Sequence, residues 1–393
     1  MGKRWLILIG LFAARTVFGF QYQSVASAAP FLMADLGIDY GQIGILLGLY
    51  LLPGIVLALP GGLLGRRFGD KRVVALGMGL MAAGGLLMAL GDSYTLLVAG
   101  RITSGAGGIL LNVLVTKMVA DWFAEREVVT AMAMLVTSWP LGISLAMVTL
   151  PTLMAASSWQ AAMVLTTILS LVGLAGVALV YRAPPLVAGE REVHSPRFRF
   201  DRTELLLVLL TSLIWALFNV TFAILPGFAP ALLASQGYSV VAASSMVSII
   251  SWLLLLSLPL GGALAERIGH PNLVLVTCFS ALGLLCFLLA SWPTPLPVLL
   301  ALGLLFGPPA GIIAALPVEV LHPDHRALGL GLFFTIYYAV LPVLTALAGF
   351  TLDVSGNPAV PLYFGGLLIL LAIAVLALFR AAQRAATRVC PGD

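Results

Sequence analysis

The sequence predicts an all-α membrane protein of twelve transmembrane helices, arranged as two pseudo-symmetric six-helix bundles. Three observations carry this. Of 393 residues, 61% are hydrophobic and only 9% charged, with a mean hydropathy of +1.10, and a soluble surface needs far more charge than that. Apolar runs of roughly 20 residues, the length a helix needs to cross a bilayer core, follow one another almost without pause. Finally, a short charged hairpin occurs twice between such runs: residues 61–69 read Gly-Gly-Leu-Leu-Gly-Arg-Arg-Phe-Gly, and residues 261–269 read Gly-Gly-Ala-Leu-Ala-Glu-Arg-Ile-Gly. Strands of a membrane barrel would be about half as long and would alternate in polarity, which these runs do not.

The first segment opens on Lys3 and Arg4 and carries small residues around Ala26 and Ala28, the outline of a signal peptide. Arg15 interrupts its apolar stretch and further spans follow, so it reads as an uncleaved helix over 5–30. Helices over 41–64, 73–91, 95–119, 128–153 and 160–181 complete an N-terminal bundle, residues 1–181. Residues 182–204 hold Arg191, Glu192, His194, Arg197, Arg199, Asp201 and Arg202 among prolines, and read as a linker at the membrane surface. Helices over 205–233, 240–264, 273–290, 297–320, 328–351 and 360–380 form the C-terminal bundle, residues 205–380, followed by a tail over 381–393.

Lys and Arg fall on one side. The segments on the N-terminus side carry Lys3, Arg4, Arg66, Arg67, Lys71, Arg72, Arg126, Arg267, Arg326, Arg380, Arg384 and Arg388. The opposite segments carry none, but hold Asp35, Asp39, Asp92 and Asp353. Both termini are therefore expected in the cytoplasm. This asymmetry accounts for the formal net charge of +4, which gives no reason to expect a nucleic-acid partner. Cys278, Cys286 and Cys390 have neither metal-ligand nor redox spacing, so no cofactor or metal is expected.

The repeat extends beyond the hairpin. Ala29-Pro30 answers Ala229-Pro230, Gly37 answers Gly237 and Arg126 answers Arg326, all at one offset. Two comparable halves of membrane helices suggest a transporter that rocks about a site between them.

Six plus six helices, a linker and this hairpin resemble the major facilitator superfamily over essentially the whole chain. Its loop pattern of Gly, an acid four residues on, Gly and then basic residues maps onto Gly62, Arg66, Gly69, Lys71 and Arg72. Arg66 takes the acidic position and Asp70 stands where a base is usual, whereas the second copy keeps an acid, with Gly262, Glu266, Arg267 and Gly269. The resemblance implies that these residues, with Arg126 and Arg326, form a cytoplasmic gate. Arg101, Gly105 and Gly107 match a second family pattern in the fourth helix, which implies coupling or gating. Trp139-Pro140-Leu141-Gly142 departs from the fifth-helix motif of drug–proton antiporters. An arginine within the first helix is similar to the cyanate-transporter-like branch.

Polar residues concentrate in the first, fourth and seventh helices, and polar groups in lipid are costly unless they face protein or water. Helical spacing draws three stripes: Arg15, Gly19, Tyr22 and Ala26; Arg101, Gly105, Gly108 and Asn112; Trp215, Asn219, Phe222 and Pro226. They either line a cavity or let helices pack closely. Arg15 lies about 15 Å into its helix, near mid-membrane, where an arginine costs ~2.5–3.5 kcal/mol. Its role is to face substrate or to pair with a buried carboxylate, and no neighbouring helix offers an acid at that depth. Arg101 is open to coupling, to snorkelling outward or to pairing with Asp92. Lys117 and Glu319 belong to the cytoplasmic ends.

Forked guanidinium donors suit planar oxyanions, so the expected cargo is a small anion: an organic carboxylate, cyanate or a nitrate-like ion. Arg15, Tyr22, Arg101, Asn112, Trp215, Asn219, Phe222 and Tyr337 are the candidate substrate residues. Export of neutral or cationic amphiphiles is the competing reading within transport. A membrane enzyme would draw on His322, Asp324, His325 and Arg326, but that cluster occupies the loop equivalent to Glu125-Arg126-Glu127 and reads as a gate. Nothing resembles a channel filter. A single chain in the inner membrane, acting as a monomer, is the expected working unit.

Overall fold

The computed structural model describes residues 3–123, 128–182, 201–292, 294–321 and 326–389. These form fourteen α-helices and no strand. The first half contains α1 (Lys3–Leu36), α2 (Tyr40–Leu49), α3 (Gly54–Phe68), α4 (Asp70–Ala89), α5 (Tyr94–Phe123), α6 (Val128–Ala156) and α7 (Trp159–Val180). The second contains α8 (Arg202–Ser235), α9 (Val240–Ile268), α10 (Pro271–Ser291), α11 (Pro295–Leu305), α12 (Gly307–Val320), α13 (Arg326–Ser355) and α14 (Val360–Val389). With α2–α3 and α11–α12 each taken as one span, the described residues hold 12 segments long and apolar enough to cross a membrane. Most of the expected linker, residues 183–200, lies outside the described residues.

Two spans read as continuous are broken. The second stops at Leu49 and restarts at Gly54 behind Pro53, and the tenth breaks at Phe306 ahead of Pro308 and Pro309. Prolines lack the amide that would continue the ladder. Yet α1 runs through Pro30 to Leu36, well past the expected end, and α8 runs through both Pro226 and Pro230. A proline therefore permits a break without dictating one.

Chain reversals follow local chemistry. Asp39 and Gln42 form a reciprocal capping box at the start of α2, while Ser158 and Ser239 cap α7 and α9. The glycines that repeat across the halves, Gly37 with Gly237 and Gly69 with Gly269, all have positive φ, which explains why glycine recurs there. A Cβ on Gly62 or Gly262 would meet nothing, so this arrangement gives those two no steric reason.

In the first half α1 packs on α6 and α7, and α4 on α5 and α7; in the second, α14 packs on α8 and α10, and α9 on α11 and α12. The halves join chiefly through α2 on α13 and α6 on α9. One apolar core runs through both halves. Large apolar side chains also cover the outside: Leu179 is 81% exposed and Leu90 73%. Water would oppose such a surface and lipid does not.

Candidate substrate site

Arg15 is seated by a defect in the neighbouring helix. Its Nε donates to Asn112 Oδ1 on α5 at 2.8 Å. Its Nη1 donates into α6, to Leu135 O at 2.7 Å, Ser138 Oγ at 3.1 Å and Val136 O at 3.3 Å. Pro140 has no N–H, so Val136 O lacks its helical donor and is open to the guanidinium. The helices approach closely enough because Gly19 and Gly142 lie at their crossing. A Cβ on Gly19 would strike Trp139 O, and one on Gly142 would strike Thr16 O. Arg15 Nη2 takes part in none of these bonds, and no carboxylate among the described residues pairs with the group. Neutral acceptors thus hold two nitrogens, and Arg15, with its charge unpaired by any described carboxylate, lines a cavity between the halves.

That cavity, of about 210 Å³, lies between the halves. Arg15, Phe18, Asn112, Trp139 and Pro140 line it from the first half. Trp215, Phe218, Asn219 and Phe222 of α8, Phe306 at the α11–α12 break, and Tyr337 and Tyr338 of α13 face them. The break places the Phe306 ring 5.4 Å from Phe218 and 5.5 Å from Phe222, the latter edge-on. Asn219 Nδ2 donates to Trp215 O at 2.8 Å, which leaves its amide oxygen uncommitted. Trp215 Nε1 is sealed from solvent without any acceptor. The Tyr338 hydroxyl lies against Asn112 and the Arg15 charge. Among the described residues Arg15 is the sole charged one of the lining. A second hollow of about 390 Å³, near Tyr238 and Trp292 on the face opposite the termini, has no charged lining.

Six of the eight candidate substrate residues therefore share one cavity: Arg15, Asn112, Trp215, Asn219, Phe222 and Tyr337. Tyr22 and Arg101 are packed elsewhere. Tyr22 is buried between Tyr50 and Trp139, with ring centroids 5.8 and 5.0 Å away. Arg101 is fully buried, and neither snorkels nor meets Asp92. Its Nε donates to Leu46 O at 3.0 Å, its Nη1 to Gln21 O at 3.0 Å and its Nη2 to Tyr22 O at 3.1 Å, with the guanidinium 4.4 Å from the Tyr50 ring centroid. The Tyr50 amide turns back to Gly48 O instead of continuing the ladder to Leu46 O. Arg101 thus caps the carbonyl end of the broken helix α2, where a cation is favoured. In its stripe only Asn112 reaches the cavity; Gly105 meets the Tyr50 backbone and Gly108 the Phe18 ring.

Three charged groups at the terminus face, around Lys117, Lys71 and Arg380, bond within their own halves. Asp70 pairs with Lys117 at 2.5 Å, and Lys117 reaches Asp121 at 3.3 Å. Lys71 Nζ donates to Ala178 O and Tyr181 O at the end of α7. Burial beside Asp70 and Asp121 pushes the Tyr181 phenol up to about 12. In the second half Arg380 joins Glu319 at 2.8 Å and also Asn272. Arg72, Arg267 and both loop glycines, Gly69 and Gly269, are exposed. Arg126 lies outside the described residues, as do the side chains of Arg66, Glu266 and Arg326.

Hydrogen bonds that cross between the halves, among the described residues, lie away from that face. Gln23 Nε2 donates to Pro226 O at 3.1 Å, a carbonyl whose helical donor is missing because Pro230 stands four residues on. The Asp353 carboxylate accepts from the Tyr40 and Gly41 amides at 2.9 and 2.5 Å, at the start of α2. Beside it Gly44 and Gly48 pack on α13 at Thr345 and Pro342, and Gly349 packs on Tyr40.

Sequence reasoning did not identify Phe18, Phe218, Phe306, Trp139 and Pro140 as lining, nor Asp353 as a tie. Phe18 and Phe218 stand at the repeat offset of 200, a signal that was available. Pro140 signalled only through the carbonyl it frees.

The family model described as Major Facilitator Superfamily matches residues 11–341 and 210–389. The hexuronate transporter of Bacillus subtilis is 24% identical over 95% of this chain and 94% of its own length. The inner membrane transport protein YajR of Escherichia coli is 32% identical, but over 39% of this chain and 35% of that protein. The chain thus spans about a third of that relative. The quinolone resistance protein NorA of Staphylococcus aureus is 25% identical over a quarter of each chain. Among solved structures, a mutant of the nucleoside transporter NupG superposes with a TM-score of 0.75 at 16% identity, over 96% of this chain and 100% of that one. A D-xylose–proton symporter gives 0.74 at 16% identity, over 95% and 97%. At such identity these likenesses speak for the fold.

Proposed function

Since the chain belongs to the Major Facilitator Superfamily and is an integral membrane transporter, we propose that it carries a small anion across the membrane by alternating access. One observation carries this reading: a mid-membrane guanidinium, unpaired by any described carboxylate, that lines the cavity between the halves with its Nη2 outside the bonds that seat it. Such a charge is costly in a bilayer, and an incoming oxyanion supplies both the missing charge and the missing acceptor. Asn112 and Ser138 hold the guanidinium in place, so little ordering remains when the anion binds. The hexuronate transporter relative agrees with an anionic cargo; the finer cyanate-like assignment rests on Arg15 alone.

The working cycle follows from where the halves are tied. Residues 1–181 and 205–380 act as the two rocking units, with 182–204 as linker and 381–393 as tail. Asp353 and the α2–α13 seam close the face opposite the termini, and the Lys117–Asp70 and Arg380–Glu319 pairs at the terminus face each stay within one half. This is the state open toward the termini. The arginine and lysine asymmetry puts that side in the cytoplasm of a bacterial inner membrane. The protein catalyses no covalent chemistry in this reading and works as a monomer.

Efflux of a neutral amphiphile is the second reading, favoured by the ring-rich cavity wall. Purified protein in liposomes, offered a panel of anions, neutral amphiphiles and organic cations, separates the two. Anion uptake is expected, with Arg15→Gln reducing it at least about thirtyfold and Arg15→Lys retaining part of it. Unchanged uptake and affinity in Arg15→Gln, or transport of cations without anions, removes the reading.

A further inference from the structure

The cavity wall narrows the class of anion, a step that rests on the anion reading above. Among the described residues Arg15 is the single charged one lining the site, so it balances one negative charge. A second charge would be buried without a partner. The opposite wall is built of Phe218, Phe222 and Phe306, in mutual contact at 5.4 and 5.5 Å and backed by Leu254 and Leu258. None of these offers a hydrogen bond. Within that wall Trp215 Nε1 is a donor with no acceptor and no access to water, although buried donors ordinarily have partners.

We propose that the substrate is an organic monocarboxylate with a flat, apolar body. Its carboxylate meets the Arg15 guanidinium, its body lies against the Phe218–Phe222–Phe306 wall, and the Trp215 indole, whose Nε1 is closed to the cavity in this state, turns to donate Nε1 to one of its oxygens. A small inorganic anion would exchange its hydration shell for aromatic faces, whose quadrupole is negative. It would have no apolar surface to bury in return. A sugar acid would set hydroxyls against the same rings: Asn112 Oδ1 and Asn219 Nδ2 are engaged by Arg15 and Trp215, and the other ends of these two amides with the Tyr337 and Tyr338 hydroxyls are too few to meet every hydroxyl. Polar groups stripped of water and left unpaired select strongly against such a ligand.

The test is calorimetric titration of the full chain in nanodiscs, corrected against empty discs. The probes are benzoate, terephthalate, D-glucuronate, nitrate, cyanate and the neutral benzamide. Benzoate is expected to bind at least about tenfold more tightly than each of the others. Trp215→Phe, which keeps a ring and removes the N–H, is expected to weaken benzoate about tenfold. Phe222→Ala is expected to weaken benzoate and leave nitrate unchanged. Glucuronate, nitrate, cyanate or terephthalate binding as tightly as benzoate overturns the monocarboxylate class while the anion reading stands. Benzamide matching benzoate, or no anion binding at all, overturns both. Benzoate affinity unchanged in a Trp215→Phe protein that unfolds at the wild-type temperature removes the donor role of Trp215. The wild-type ranking remains decisive should either variant fail to fold.

Discussion

Positions 15 and 215 occupy the same place in the first helix of their respective halves, and the halves use them in opposite ways. In the first half the residue is an arginine whose Nε and Nη1 are engaged by α5 and α6. In the second it is a tryptophan whose polar atom meets nothing. The neighbours differ accordingly. Position 140 is a proline that opens a carbonyl toward Arg15, whereas its counterpart, position 340, is a valine. Ser138 helps seat the guanidinium, and its counterpart Tyr338 comes from the other half to wall the same cavity. One half supplies charge with its supports, and the other supplies rings. A duplicated scaffold can thus present two chemistries to one ligand, because the backbone positions match while the carbonyls left free by proline do not.

The strongest way to disturb this division, short of removing the arginine, is Pro140→Ala, which makes α6 resemble its counterpart. The restored N–H competes for Val136 O. Anion affinity is expected to fall several-fold while the protein becomes no less stable, read by titration beside thermal unfolding. Unaltered affinity would show that Arg15 does not depend on the kink. Next comes the tie at the opposite face. Asp353→Asn removes a carboxylate from the α2 N-terminus, an interaction of about 0.3–1 kcal/mol. A two- to fivefold shift toward separated halves is expected in spin-label distances measured across that face, and an unshifted distribution would leave the seal to the glycine seam. Smallest is Lys117→Met at the terminus face. Lys117 is 37% exposed at the side chain, and such pairs contribute below about 1 kcal/mol. The unfolding temperature should hardly move; a large drop would mean that this pair holds its half together.

The architecture was legible in the sequence because span length and positive-φ glycines are local properties. Gly37, Gly69, Gly237 and Gly269 repeat because each turns the chain. The interruptions at Tyr50–Pro53 and Phe306 were not legible, since hydropathy is indifferent to a missing hydrogen bond and Pro30 and Pro226 sit inside intact helices. Arg15 stood out through its cost in lipid. Its seat did not, because two of its four acceptors, Leu135 O and Val136 O, are main-chain carbonyls, which every residue carries. The stripe through Tyr22 and the stripe through Phe222 look alike on paper. Tyr50 and Trp139 enclose the first, and no equivalent pair encloses the second.

Arg101 has a consequence for how the molecule is made. It is synthesised 55 residues after Leu46, whose carbonyl it satisfies. When α2 first enters the bilayer, its carbonyl end has no protein donor and must keep water or a polar surface beside it. Insertion of α5 then releases that water and locks α1 and α2 in a single step. The order of chain emergence thus makes the fourth span the piece that fixes the first two, before the fifth and sixth spans that complete the half have been translated.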